Sequence, residues 1–198
     1  METKKLSLDK DNEFYEYLLV AHPDTVVHNK VKAEKQLFYD EYKEKTAIKT
    51  KPHITVAYFV AREEMEDTII RWVQRICNNQ QSFTVTLNNY SGFPPHTIYL
   101  RIQNAKPFHQ LGKELNVVNT YVGSCSCPPM KIISKPHVSI AASLSEKIYF
   151  KALTQYAHKS FHESFIVSEL LLLRRKHQDD TCKPINVFGL QPANELFN

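Results

Sequence analysis

Apolar positions along the chain change period repeatedly, and each change marks an element. Residues 15–22 are rich in tyrosine and leucine and are broken by Pro23-Asp24, which predicts a strand running into a helix capped by Asp24. That helix carries Val27, Val31, Leu37 and Phe38 on its apolar stripe and is expected to end near Lys45. Residues 53–59 then alternate as a strand does. Across 62–80, Met65, Ile69, Trp72, Val73 and Ile76 recur at helical spacing. Glu63, Glu64, Glu66 and Asp67 gather in the first turns, where the helix macrodipole favours acids. Residues 83–90 form the next predicted strand.

From Thr97 the same order begins again. Residues 97–103 predict a strand, Lys106-Pro107 opens a helix through Leu111, Leu115 and Val118, and 137–143 predict a second central strand. A helix over 145–161 follows, with Tyr149, Leu153 and Tyr156 inward, then a strand over 165–173 and a shorter one over 186–190. Matching elements lie 82 to 84 positions apart throughout, the spacing of a duplicated β-α-β-α-β unit. The expected fold class is therefore α+β: a single domain over 1–198 with two pseudo-twofold lobes, whose antiparallel sheets face a central cleft. The repeats span approximately 15–91 and 97–173, with 186–190 as a C-terminal strand. The main asymmetry is the loop 123–134, long enough to move or to act as a lid.

Composition narrows the class without choosing a function. With 198 residues, 42% of them hydrophobic, the chain can bury a sizeable core, which excludes disordered and fibrous proteins. A net charge of +4 permits an anionic partner without demanding one. Four irregularly spaced cysteines make no disulfide framework, the start 1–12 is charged, and the apolar runs are far too short to span a bilayer. A cytoplasmic monomer without membrane attachment is the expectation.

The duplication becomes chemical in the two central strands. Lys51-Pro52-His53-Ile54-Thr55-Val56-Ala57 matches Lys135-Pro136-His137-Val138-Ser139-Ile140-Ala141. Side chains two apart in a strand share a face, so His53 projects with Thr55 and His137 with Ser139, while the apolar residues between them turn to the core. A histidine beside a hydroxyl residue on one strand reads as a surface feature. Two copies at matched positions of a repeat read as an acid/base site with two proton-transfer groups and two hydroxyl donors. A cyclic phosphodiester opens when water attacks phosphorus in line while the departing ribose oxygen is protonated. Imidazoles titrating near neutrality can serve as base and acid, and the hydroxyls can stabilise the non-bridging oxygens without a metal.

These motifs resemble those of the 2H phosphoesterases, named for two His-x-(Thr/Ser)-x motifs, and among them the 2'-5' RNA ligase and cyclic phosphodiesterase-like proteins. The resemblance extends to the opening strand before Pro23, to Gly92-Phe93-Pro94 ahead of Ile98-Tyr99-Leu100, and to the leucine-rich strand ending in Arg174. It implies a bilobal α+β fold and a metal-independent phosphodiesterase needing no cofactor. Its substrates would be 2',3'-cyclic phosphates or 2'-5' linkages in RNA or small nucleotides, with the first histidine protonating the leaving group. The alternative is a catalytically silent nucleotide- or RNA-binding module on the same scaffold.

Substrate-binding candidates follow. Tyr17 and Tyr99 lie 82 apart in the two opening strands, where either ring can stack a base or fill the core. Arg174 is a candidate phosphate contact, with Arg175 on the opposite face as its competitor, and Phe93 is placed near the cleft by resemblance. Cys125-x-Cys127 with Cys182 lacks the usual zinc-ligand spacing, and Asp179-Asp180 beside His177 reads as a solvated loop, so no metal site is expected. Four glycines leave no room for a Gly-rich phosphate loop, which excludes P-loop and Rossmann chemistry.

Overall fold

The computed structural model describes residues 14–176 and 180–193; the charged start 1–12 and the His177-Asp179 part of the polar loop lie outside them. Among the described residues nine strands form one antiparallel sheet: β1 (Phe14–Ala21), β2 (Ile54–Arg62), β3 (Phe83–Phe93), β4 (Thr97–Ile102), β5 (Lys131–Ile132), β6 (His137–Ala141), β7 (His162–Val167), β8 (Glu169–Arg175) and β9 (Lys183–Gly189). The helices are α1 (Thr25–Tyr42), the short α2 (Thr46–Lys49), α3 (Glu66–Cys77), α4 (Lys106–Glu114), α5 (Asn116–Ser124) and α6 (Glu146–Tyr156). The fold is α+β, with the sheet curled into a half-barrel.

Local chemistry accounts for most boundaries. Asp24 caps α1 by accepting the Val27 N–H at 2.9 Å, and Ser145 caps α6 through the Ile148 N–H at 3.4 Å. On α1, Val27, Val31 and Phe38 are buried as the periodicity predicts, but Leu37 is 53% exposed and Lys35 is 3% exposed in its place. The helix ends at Lys43, whose left-handed φ of 57° lets its N–H reach the Tyr39 carbonyl. The single helix expected after Lys106 is two, α4 and α5.

Strand order across the sheet is β7-β3-β4-β6-β2-β1-β8-β9, with β5 also on β2. Two antiparallel halves meet at β2 and β6, joined through the pair Ile54 and Val138. Each half draws strands from both repeats. β3 leaves the first repeat to pair with β4 and β7, and β8 leaves the second to pair with β1 and β9. The strand expected over 165–173 is accordingly two, broken at Ser168, whose pieces run on opposite sides of the seam. Helices cross over too: α1 lies against β6 and β7, and α4 against β2.

The loop 123–134 is anchored rather than a free lid. β5 within it pairs with β2, the Ile133 N–H donates to the Val56 carbonyl at 3.0 Å, and Cys127 and Met130 are buried.

Candidate active site

Both motifs fold alike, and the reason lies in the register. On β2, Thr55 faces Val20 while Ala57 faces Leu19, so Val56 is an extra residue; on β6, Ser139 faces Tyr99 while Ala141 faces Ile98, so Ile140 is the extra one. These bulges sit at equivalent positions and turn two consecutive side chains inward, so that Val56-Ala57 and Ile140-Ala141 are all buried. His53, Thr55, His137 and Ser139 are each only partly buried, on the other face.

Continuing the register one residue either side of Ile54 and Val138 sets His53 opposite Ser139 and Thr55 opposite His137. The two histidines are then diagonal neighbours, a relation that separates side-chain bases by about 7–8 Å. Each imidazole is oriented identically: Nδ1–H of His53 donates to the Lys51 carbonyl at 2.8 Å, and Nδ1–H of His137 to the Lys135 carbonyl at 2.8 Å. This selects the tautomer in which Nε2 is the titrating atom. Burial lowers the pKa of both below the ordinary histidine value. The charges of Lys35 and of His137 push His53 the same way, while the carbonyl bonds oppose the shift. The four residues can thus exchange protons at two points and donate two hydroxyls toward one centre.

Of the binding candidates, Phe93 and Tyr99 join this group. Their rings stack at 4.2 Å, and the His137 ring lies 4.9 Å from Phe93 and 5.0 Å from Tyr99. Tyr17 does not join it. Its side chain is wholly buried, stacked on Phe59 at 5.1 Å, with its hydroxyl donating to Glu66 at 3.1 Å on the face opposite Thr55. Tyr99 corresponds in register to Val20, three residues from Tyr17, and an odd displacement along a strand reverses the face. Arg174 pairs across the strands with Tyr17 and shares its face, where Glu63 at 2.7 Å and Glu66 at 2.9 Å neutralise it. Arg175 is on the Thr55 face but is bound to Glu16 at 2.6 Å.

Three further residues reach the site without having been singled out in the sequence. His22 follows Ala21, the partner of Ile54, and its ring is 6.4 Å from that of His53. Arg101 holds the corresponding place opposite His137. Lys35 on α1 donates to the Ser139 carbonyl at 3.1 Å and to Thr50 Oγ1 at 3.4 Å, linking both motif segments. His22 and Arg101 lie 79 apart, the offset that the strand register sets between the two opening strands and that the sequence alone does not show; for Lys35 there was no signal. Among the described residues no cluster of three or more His, Cys, Asp or Glu is arranged to hold a metal ion. Cys127 turns its thiol to Met65 at 3.6 Å.

Comparison with known proteins gives the chain's family and fold. Residues 23–179 match the model of the 2'-5' RNA ligase superfamily. A protein of Staphylococcus aureus strain Newman named "Putative phosphoesterase" is 26% identical over 155 residues, 77% of this chain and 88% of its own. Two crystal structures share the fold. TT0787 of Thermus thermophilus has a TM-score of 0.69 at 17% identity, covering 89% of this chain and 98% of that one. LigT of E. coli complexed with 3'-AMP has a TM-score of 0.62 at 15% identity, covering 90% and 99%.

Proposed function

This chain belongs to the 2'-5' RNA ligase superfamily, within the 2H phosphoesterases, and from that premise we propose that it is a metal-independent phosphodiesterase acting on 2',3'-cyclic phosphates or 2'-5' linkages of RNA or nucleotides. The observation that carries the reading is the pair of equivalently held imidazoles flanking Ile54 and Val138, with Thr55 and Ser139 alternating between them on one face. One Nε2 takes the proton of the attacking water while the other delivers a proton to the departing ribose oxygen, and the two hydroxyls donate to the non-bridging oxygens. Phe93 and Tyr99 offer the base a stacking surface beside His137. Crystal structures of LigT of E. coli in complex with 3'-AMP, ATP and NADP+ support a nucleotide as ligand.

The test is turnover of 2',3'-cyclic nucleotides, cyclic-phosphate-ended RNA and 2'-5' linked dinucleotides in the presence of EDTA, with the product phosphate located by NMR. His53→Ala and His137→Ala should each lower kcat by about 10²- to 10⁴-fold, and the double variant should be little worse than either. Nucleotide binding without turnover, or a small effect of removing one histidine, would leave only a binding module.

A further inference from the structure

We propose that Lys35 is a positioning residue for the reaction: its ammonium joins the Ser139 carbonyl of the second motif to Thr50 at the approach to the first, and so keeps His53 and Ser139 level across the seam of the sheet. The inference rests on the reading of the site as a phosphodiesterase centre and adds a residue to its machinery.

The fold itself does not ask for a lysine at this place. Lys35 stands on the buried stripe of α1 with Val27, Val31 and Phe38, where an apolar side chain would pack without taking an ammonium out of water. Among the described residues no ion pair includes it, so no carboxylate offsets the burial. A charge kept in the core against the interest of stability points to a use other than stability.

Both of its hydrogen bonds go to the motif segments. Nζ donates to the Ser139 carbonyl at 3.1 Å and to Thr50 Oγ1 at 3.4 Å. Ser139 carries one of the four cleft groups and lies opposite His53 when the pairing of Ile54 with Val138 is continued. Thr50 stands three residues ahead of His53. Between them, Lys51 gives the carbonyl that accepts the His53 Nδ1–H at 2.8 Å, and Pro52 is buried. Proline fixes its own φ and restricts the residue before it, so this approach has little freedom once Thr50 is held. β2 and β6 pair through Ile54 and Val138, and the ammonium adds a tie between their segments at the His53 end. The second repeat holds its own approach at the matching place: His109 on α4 donates from Nε2 to the Ser134 carbonyl at 2.7 Å, three residues ahead of His137. That bond stays within one repeat, whereas the bonds of Lys35 span both.

The two imidazoles have to serve opposite oxygens of one phosphorus, and a misplacement of about 1 Å can lower such a rate by about 10²-fold. Lys35 acts on that alignment and not on the grip of the nucleotide, whose stacking surface of Phe93 and Tyr99 lies beside His137. Its loss therefore falls on kcat rather than on KM.

The experiment measures kcat and KM for 2',3'-cyclic AMP, each variant at the optimum of its own pH profile, together with urea denaturation. Lys35→Met should lose about 10- to 100-fold in kcat with KM changed by less than about threefold, while being no less stable than wild type at pH 7. Thr50→Val, at an exposed position, removes one acceptor and leaves the lysine in place; it should lose about 3- to 10-fold in kcat. The double variant should be no slower than Lys35→Met, because both substitutions cut the same tie. A lysine with a merely structural role would lose rate only together with stability, and the two losses would multiply. Either of those results, or a kcat within about twofold of wild type, overturns the proposal. If Lys35→Met does not fold, Thr50→Val decides alone, and an unchanged kcat in it ends the proposal. If wild type turns over no cyclic nucleotide, the phosphodiesterase reading fails by itself, and NMR still decides whether the lysine holds the site. In Thr50→Val the His53 Nδ1–H should then exchange with water faster than in wild type and that of His137 should not; exchange unchanged at both would refute the positioning role.

Discussion

Lys35 offers a direct measure of what a buried charge costs this fold. It is the buried charged side chain among the described residues, and burial lowers its pKa from 10.5 to about 8. At about 1.36 kcal/mol per unit, holding the ammonium inside disfavours folding by roughly 3 kcal/mol at neutral pH. The folded state binds this proton less tightly than the unfolded chain. The penalty is therefore complete below pH 8 and is relieved as the pH rises from about 8 toward 10.5. Lys35→Met replaces the cation by an apolar chain of similar length and leaves the Ser139 carbonyl short of a donor, at a cost of about 1–2 kcal/mol. The variant should be more stable than wild type by about 1–2 kcal/mol at pH 7, which for a chain of this size raises Tm by about 2–8 °C. Urea denaturation at pH 7 and pH 10 measures both ends. By pH 10 wild type has recovered most of its penalty, so the advantage should vanish or reverse. Because His53 also loses a neighbouring cation, the pH–rate profile as a whole should move to higher pH. A variant destabilised by more than about 1 kcal/mol at pH 7, or one whose difference from wild type is the same at both pH values, would refute this account.

Since His53 and His137 both titrate below 6.5, the bell of kcat/KM against pH should be centred on the acid side of that value, its limbs belonging to the coupled pair; an optimum on the alkaline side of neutrality would contradict the burial argument. Gly92→Ala should destabilise by about 1–3 kcal/mol in thermal denaturation, because a Cβ there would stand 2.3 Å from the hydroxyl of buried Tyr149. Gly123→Ala, where a Cβ meets nothing within 4 Å, is the control and should not behave alike.

The repeated motif carried its own local geometry. Alternation in a strand requires His53 with Thr55 and His137 with Ser139 to share a face, because that relation depends only on the pleat. The class of fold and the helix starts at Asp24 and Ser145 were likewise readable from residue types and their spacing. Relations between strands were not. The pairing register of the opening strands with the motif strands sets the true correspondence at 79 positions rather than 82, which moves Tyr17 to the core and puts His22 in a place that spacing had given to no residue. The split at Ser168 had only a faint signal, Ser168-Glu169 interrupting an otherwise apolar run over 165–173, and pairing partners distinguish one long strand from two on opposite sides of the seam. Lys35 was hidden more deeply. A lysine on a helix faces water by default, and its burial follows from the crossing of α1 onto the other half of the sheet, where the Ser139 carbonyl and Thr50 wait for a donor. Covalent spacing determines which groups travel together along one strand; packing between distant segments decides which of them meet.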